Sequence, residues 1–272
     1  MSPQDLASVT SLLFVPGHRP DRFAKAADSG AGAIILDLED AVAPEAKVEA
    51  REHVAKWLAG GGGGIVRINA PGTPWHDDDL AAVAGHPVML PKAESAEQVA
   101  TVVAALGTDA AVLPLVETAA GVLAADEFLA LRGVVRAAFG SIDLSAQLGV
   151  DPNDYQAFLF ARSRLVLASA AAGVAGPVDG VTTDVTDDDR LAADAAHGAG
   201  LGFTGKMCIH PRQLQVVHTA FDPTAEELEW ARRVVQAAGD GAVTTLDGKM
   251  VDKPVVDRAR RTLSRASATM GA

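Results

Sequence analysis

The chain has a single cysteine, Cys208, among 272 residues. No intramolecular disulfide can staple it, and such usage fits a reducing compartment. Nor does any apolar run reach the length that crosses a bilayer. The opening Met1-Ser2-Pro3-Gln4-Asp5 lacks the basic start and apolar middle of a signal peptide. These absences set the expectation of a cytoplasmic protein with no membrane partner. Positive charge is scarce too: 23 Lys and Arg against 35 Asp and Glu give a formal net charge of −12. That excludes the broad basic face needed for nonspecific nucleic-acid binding. An anionic small ligand remains compatible if a few cations gather in one pocket.

What is present is a recurrent pattern. Short apolar β-rich runs alternate with helical stretches: Leu12 to Val15, Ala33 to Leu38, Ile65 to Asn69, Val88 to Pro91, Ala111 to Val116, Val134 to Phe139, Pro177 to Val181 and Gly205 to Ile209. Pro20 opens one helix and Pro44 another, and Ser95 with Gln98 has the spacing of a capping box. Near-continuous apolar strands alternating with helices imply a parallel sheet buried on both faces. Eight such units in about 220 residues predict a closed (β/α)₈ barrel, a TIM barrel, over residues 1–221. The first βα turn, Val15-Pro16-Gly17-His18-Arg19-Pro20, lacks a dinucleotide-type glycine fingerprint. Residues 222–272 form a C-terminal extension: a helix capped by Thr224 and Glu227, a hairpin about Asp247-Gly248, and a last helix near Pro254. It is too short for a domain, and long enough to serve as a lid or to contact a neighbouring subunit.

Active sites of such barrels lie at the C-terminal strand ends. The polar residues there are Asp37, Glu39, Asp40, Arg67, Asn69, Lys92, Glu117, Asp143 and His210. Glu117 and Asp143, on adjacent strand ends with little other ligand chemistry nearby, suit a hard cation that keeps its waters, Mg²⁺ or Mn²⁺ rather than Zn²⁺. Helix capping, or pairing with Arg67 or Lys92, is the alternative. Arg67 sits inside an apolar strand, where it can clamp a substrate carboxylate or pair with Asp37 or Asp40. Lys92 fits a structural ion pair, a Schiff base being unnecessary beside two metal-type acids. Arg19 and Lys25 flank the first βα turn, either as a phosphate-binding corner or as a solvated helix face. His210 reads as a base or a loop brace, and Cys208 as inert core.

Seven segments resemble, in order, the citrate lyase β-subunit-like branch of the HpcH/HpaI aldolase superfamily, which includes malyl-CoA and citramalyl-CoA lyases. They are Leu13 to Phe23, Leu36 to Val42, Val66 to Asn69, Leu90 to Lys92, Leu115 to Thr118, Gly140 to Leu144 and Gly205 to Pro211. The resemblance implies Glu117 and Asp143 as Mg²⁺ ligands and Arg67 as the acid clamp, with Asp37, Glu39, Asp40 and Lys92 behind them. It places Phe14, Arg19 and Lys25 along a coenzyme A tail, Ile209 and His210 beside its adenine end, and Ile142 in the substrate site. It also implies that Asp252, in Gly248 to Pro254, is an acid carried by the lid into an adjacent subunit's site; a plain N-cap ahead of Pro254 is the competing role. The implied activity is Mg²⁺-dependent cleavage or formation of a 3-hydroxyacyl-CoA to give a 2-oxo acid and an acyl-CoA, in a homotrimer or hexamer. Rival readings are a malyl-CoA thioesterase, a β-subunit within a multi-subunit citrate lyase, and a noncatalytic acyl-CoA-binding protein.

Overall fold

A computed structural model describes residues 2–239 and 244–270. The chain divides into two compact units, one ending at Ala220 and one starting at Phe221. Each has its own apolar core.

In the first unit, β1 (Ser11–Pro16), β2 (Ala33–Asp37), β3 (Ile65–Arg67), β4 (Val88–Leu90), β5 (Val112–Val116), β6 (Ala138–Phe139), β7 (Val178–Asp179) and β8 (Gly205–Cys208) pair in parallel in chain order. β1 also pairs with β8, so the sheet closes into the expected barrel. Leu12, Ile35, Ile65, Met89, Leu113, Ala138 and Met207 belong to one buried cluster. The intervening Ile34 and Leu36 are equally buried, on the strand face that period two turns toward the helices. Burial of both faces is why these strands read as continuous apolar runs rather than alternating ones.

The helices are α1 (Pro3–Ser8), α2 (Phe23–Ala27), α3 (Lys47–Ala59), α4 (His76–Ala82), α5 (Ala96–Leu106), α6 (Ala119–Leu129), α7 (Ser141–Leu148), α8 (Leu159–Ala172), α9 (Asp188–Leu201) and α10 (Leu214–Phe221). Three local expectations change. α1 is an unforeseen helix, started by a Ser2/Asp5 capping box. Ser95 caps α5, but the Gln98 amide oxygen accepts from Glu94 N at 2.9 Å, one residue before the cap, so the box is incomplete. The sixth strand shrinks to Ala138–Phe139, with Val134 left as an isolated bridge to Val112. The run is interrupted at Arg136, whose guanidinium is buried and bonded to carbonyls outside the ladder.

In the second unit, α11 (Ala225–Ala238) starts with a complete Thr224/Glu227 capping box. The hairpin of β9 (Thr244–Leu246) and β10 (Lys249–Val251) turns through Asp247 and Gly248, at φ 52° and 74°. Two successive positive φ values are what a two-residue turn of this hand needs. α12 (Lys253–Met270) packs on α11, burying Ala231, Val234, Val251 and Ala259. No helix among the described residues is long and apolar enough to cross a membrane.

Candidate active site

The site grows from the end of β2. The Asp37 carboxylate folds back on its own turn, accepting from Glu39 N at 2.9 Å and Ala41 N at 3.1 Å. Both of its oxygens also take the Arg67 fork, from Nε at 2.8 Å and Nη2 at 2.7 Å. A strand-end arginine is thereby locked to the neighbouring strand's turn. Lys47, buried on α3, holds that turn from behind by donating to Leu38 O at 2.9 Å and Glu39 O at 2.8 Å. Asn69 Nδ2 donates to Leu38 O at 3.0 Å and to Asp79 at 2.6 Å. Sequence reasoning gave Lys47 no role; only its position inside a Pro-started helix facing an acidic turn could have suggested one.

Arg67 is the central cation. Its Nη1 donates to Asp40 at 3.1 Å, and its guanidinium lies over the Phe14 ring with a 4.9 Å separation. Burial works against its charge, but Asp37, Glu39 and Asp40 more than offset that and raise its pKa. The ion-pair and clamp roles coexist geometrically, because Asp37 occupies one edge of the fork. The other edge meets the buried Glu39 and Asp40, each at 3.1 Å, and of the two only Asp40 is an exposed side chain that can give way to a substrate carboxylate.

Lys92 follows β4 with a φ of 49°, a conformation that non-glycine residues adopt rarely. The turn aims its backbone N–H at Glu117 Oε1, 3.0 Å away. Its ammonium lies 3.0 Å from Glu39 and 3.7 Å from Asp143. Although partial burial opposes the charge, the Glu39 bond and the charges of Glu39, Glu117 and Asp40 together outweigh it and raise the Lys92 pKa. The 3.0 Å contact makes Lys92 an ion-pair partner of Glu39.

Glu117, at the end of β5, and Asp143, in the first turn of α7, line one cavity of about 370 Å³ together with Arg67, Asp37 and Asp40. Its apolar wall includes Phe14, Leu115, Ile142, Val181, Met207 and Ile209. Burial first, then repulsion from Glu39 and Asp143, pushes the Glu117 carboxyl up to about 8. Glu39 is also raised, chiefly by burial and partly offset by Arg67. Its Oε2 lies 3.1 Å from Arg67 Nη1 without hydrogen-bond alignment, and is left buried and unbonded. Five carboxylates thus face two cations at this rim. Gly140 completes the cradle: a Cβ there would come within 2.4 Å of Glu117 Cβ and 2.7 Å of its Oε2.

Among the described residues, no group of three or more His, Cys, Asp or Glu is arranged to hold a metal. Two carboxylates at one cavity, with no His or Cys beside them, suit a divalent cation that keeps most of its waters, and not zinc. Glu117 and Asp143 are the residues that could hold it.

Other expected residues sit elsewhere. Arg19 is half-buried and bound to Asp21, Nε at 2.9 Å and Nη2 at 2.8 Å; Lys25 is exposed on α2. His210 does not line the cavity; it caps the 3-10 turn Pro211–Gln213, its Nδ1 accepting from Arg212 N at 3.2 Å. Cys208 is fully buried, and burial pushes its thiol up to about 12. Asp252, in the second unit, accepts from Val255 N at 3.3 Å as the N-cap of α12.

The profile of the family described as HpcH/HpaI aldolase/citrate lyase matches residues 10–211. A second profile, a C–C bond lyase of the TIM-barrel fold, matches residues 167–269. A citrate lyase subunit beta-like protein of Mycobacterium tuberculosis is 40% identical over 264 residues, covering 93% of this chain and 94% of the relative. A (3S)-malyl-CoA thioesterase of Cereibacter sphaeroides is 36% identical over 270 residues, covering 95% and 94%. The crystal structure of CitE from M. tuberculosis with magnesium, acetoacetate and coenzyme A superposes with a TM-score of 0.82 at 39% identity, covering 96% of this chain and 99% of that one. A closed eight-stranded barrel with its acids gathered at one rim, matched over nearly all of its length, makes this chain a member of the HpcH/HpaI aldolase/citrate lyase family.

Proposed function

We propose that this chain is a Mg²⁺-dependent carbon–carbon lyase acting on a 3-hydroxyacyl-CoA thioester of the malyl-, methylmalyl-, citramalyl- or citryl-CoA kind. The products are a 2-oxo acid and an acyl-CoA. The supporting observation is the meeting of Glu117, Asp143 and Arg67 around one cavity. Magnesium and coenzyme A occur together in the related CitE structure, which supports the same cofactor and thioester here.

Glu117 and Asp143 hold the cation, which when bound supplies Lewis-acid polarisation of a hydroxyl and carboxylate. Arg67 orients the substrate carboxylate through the fork edge that Asp37 leaves open. The apolar wall of Leu115 and Met207 excludes water from the bond that breaks. Transfer of the hydroxyl proton to water lets the Cα–Cβ bond of the thioester part, leaving an enolate that must be protonated at carbon. Asp252, delivered by the extension of a neighbouring subunit in a homotrimer or hexamer, is the proton donor, and the base in the condensation direction. Arg19, Lys25, Ile209 and His210 receive the coenzyme A portion.

The test is a panel of the four thioesters, with and without Mg²⁺, read by mass analysis. Glyoxylate, pyruvate or oxaloacetate plus an acyl-CoA supports the lyase. Intact hydroxy acid plus free coenzyme A supports the thioesterase reading, which the Cereibacter relative favours. Glu117→Gln and Asp143→Asn should each abolish Mg²⁺-dependent turnover; retained turnover in both removes the metal assignment.

A further inference from the structure

Gln213 lies in the turn after β8 and is 1% exposed. Its Oε1 accepts from Ile209 N at 2.9 Å and from His210 N at 3.3 Å. That much is a local capping box. Its Nε2, however, donates to Thr182 O at 2.9 Å, across 31 residues into the loop that follows β7. A cap alone needs only an acceptor; joining two loops requires a side chain that donates and accepts at once.

The far loop is anchored at several successive residues. Lys206 Nζ donates to Gly180 O at 2.6 Å, Gly180 N to Asp179 Oδ1 at 2.9 Å, and Thr182 Oγ1 to Asp194 at 2.6 Å. These bonds lie outside the cavity and serve no step of the chemistry. What they fix is the placement of Val181, whereas the other end of the Gln213 amide fixes Ile209; both line the cavity. We infer that Gln213 is a positioning residue that sets the separation of the β7 and β8 loops, and so the cavity wall that receives the coenzyme A end of the substrate. The substrate part of this inference rests on the function proposed above.

Gln213→Glu tests the bridge at alkaline pH, where the carboxyl is ionised: it preserves the acceptor for Ile209 and His210 but sets an oxygen against Thr182 O, with no proton to restore the donor. With the full CoA thioester, KM should rise about tenfold while kcat stays within about twofold, as loss of one buried hydrogen bond implies. With the corresponding pantetheine thioester, which lacks the nucleotide, variant and wild type should have KM values within about twofold of each other. Hydrogen exchange of the folded variant should quicken in residues 180–186 as well as in 209–214. Equal losses on both thioesters, or faster exchange confined to 209–214, overturn the inference. If the wild type cleaves no thioester, the functional reading fails, and the exchange pattern still decides for or against the bridge.

Discussion

At the scale of single residues, the chemistry turns on how buried charge is balanced. Arg67 and Asp37 are nearly inaccessible and joined by two bonds. Removing one partner strands the other, which costs about 3–5 kcal/mol for a buried pair. Arg67→Met should therefore lower the urea midpoint as well as abolish turnover. Arg67→Lys, which retains charge but not the fork, should fold better and still lose on the order of a hundredfold in kcat/KM. Glu117 predicts a pH dependence. Its folded pKa, raised to about 8 chiefly by burial, lies above that of an unfolded carboxyl near 4.3. The metal-free folded chain thus binds the extra proton, and this contribution to stability is full below about pH 4 and lost as pH rises through about 8. Melting temperatures in a chelator should fall over that interval, and Glu117→Gln should flatten the fall. Added Mg²⁺ should stabilise more at pH 8 than at pH 6, because it competes with that proton.

At the scale of elements, the strand-end turns decide which acids meet. The acids themselves were legible, since polar residues closing apolar runs stand out in a parallel barrel. Their geometry was not. Lys92 reads as an ordinary residue after Leu-Pro, yet its left-handed φ directs an N–H to Glu117. Gly140 reads as a turn glycine, yet its φ is −99°, so its freedom of conformation is not what matters. The space beside Glu117 is. Gly140→Ala should displace the Glu117 side chain, raise the Mg²⁺ activation constant at least about tenfold, and leave the circular dichroism spectrum unchanged; unchanged Mg²⁺ dependence would show that the close approach is not needed. Asp252 illustrates the reverse limit. Its N-cap geometry is local and follows from its place ahead of Lys253-Pro254, but a role in another subunit cannot be read from a cap.

At the scale of the whole molecule, the ends of the barrel divide the labour. Arg136 is fully buried at the strands' N-terminal ends, donating to Val9 O at 2.8 Å, Gly176 O at 3.0 Å and Leu6 O at 3.3 Å. Burial lowers its pKa to about 9, and its hydrogen bonds tie α1 and two loops together. Arg136→Met takes its donors from Val9 O and Leu6 O, whereas Gly176 O keeps the Thr204 hydroxyl at 2.8 Å. It should cost about 2–4 kcal/mol in chemical unfolding while kcat per folded molecule is unaffected, because the chemistry lies at the opposite rim. The two-unit division gives another expectation. A chain ending at Ala220 retains the buried cluster of Leu12, Ile35, Met89, Leu113 and Met207; it should melt cooperatively, and should cleave no thioester without Asp252.

Sequence by itself determined the number and order of strands, the barrel they close into, and which charged side chains stand at the rim. Apolar periodicity and strand-end polarity are local properties, written residue by residue. Only the tertiary structure decided that Asp37 takes one edge of Arg67, that Lys92 is tied up between Glu39 and Asp143, and that Gln213 joins two loops. Each of those depends on the distance between segments far apart in the chain, and that distance is set by barrel closure and packing rather than by any local preference.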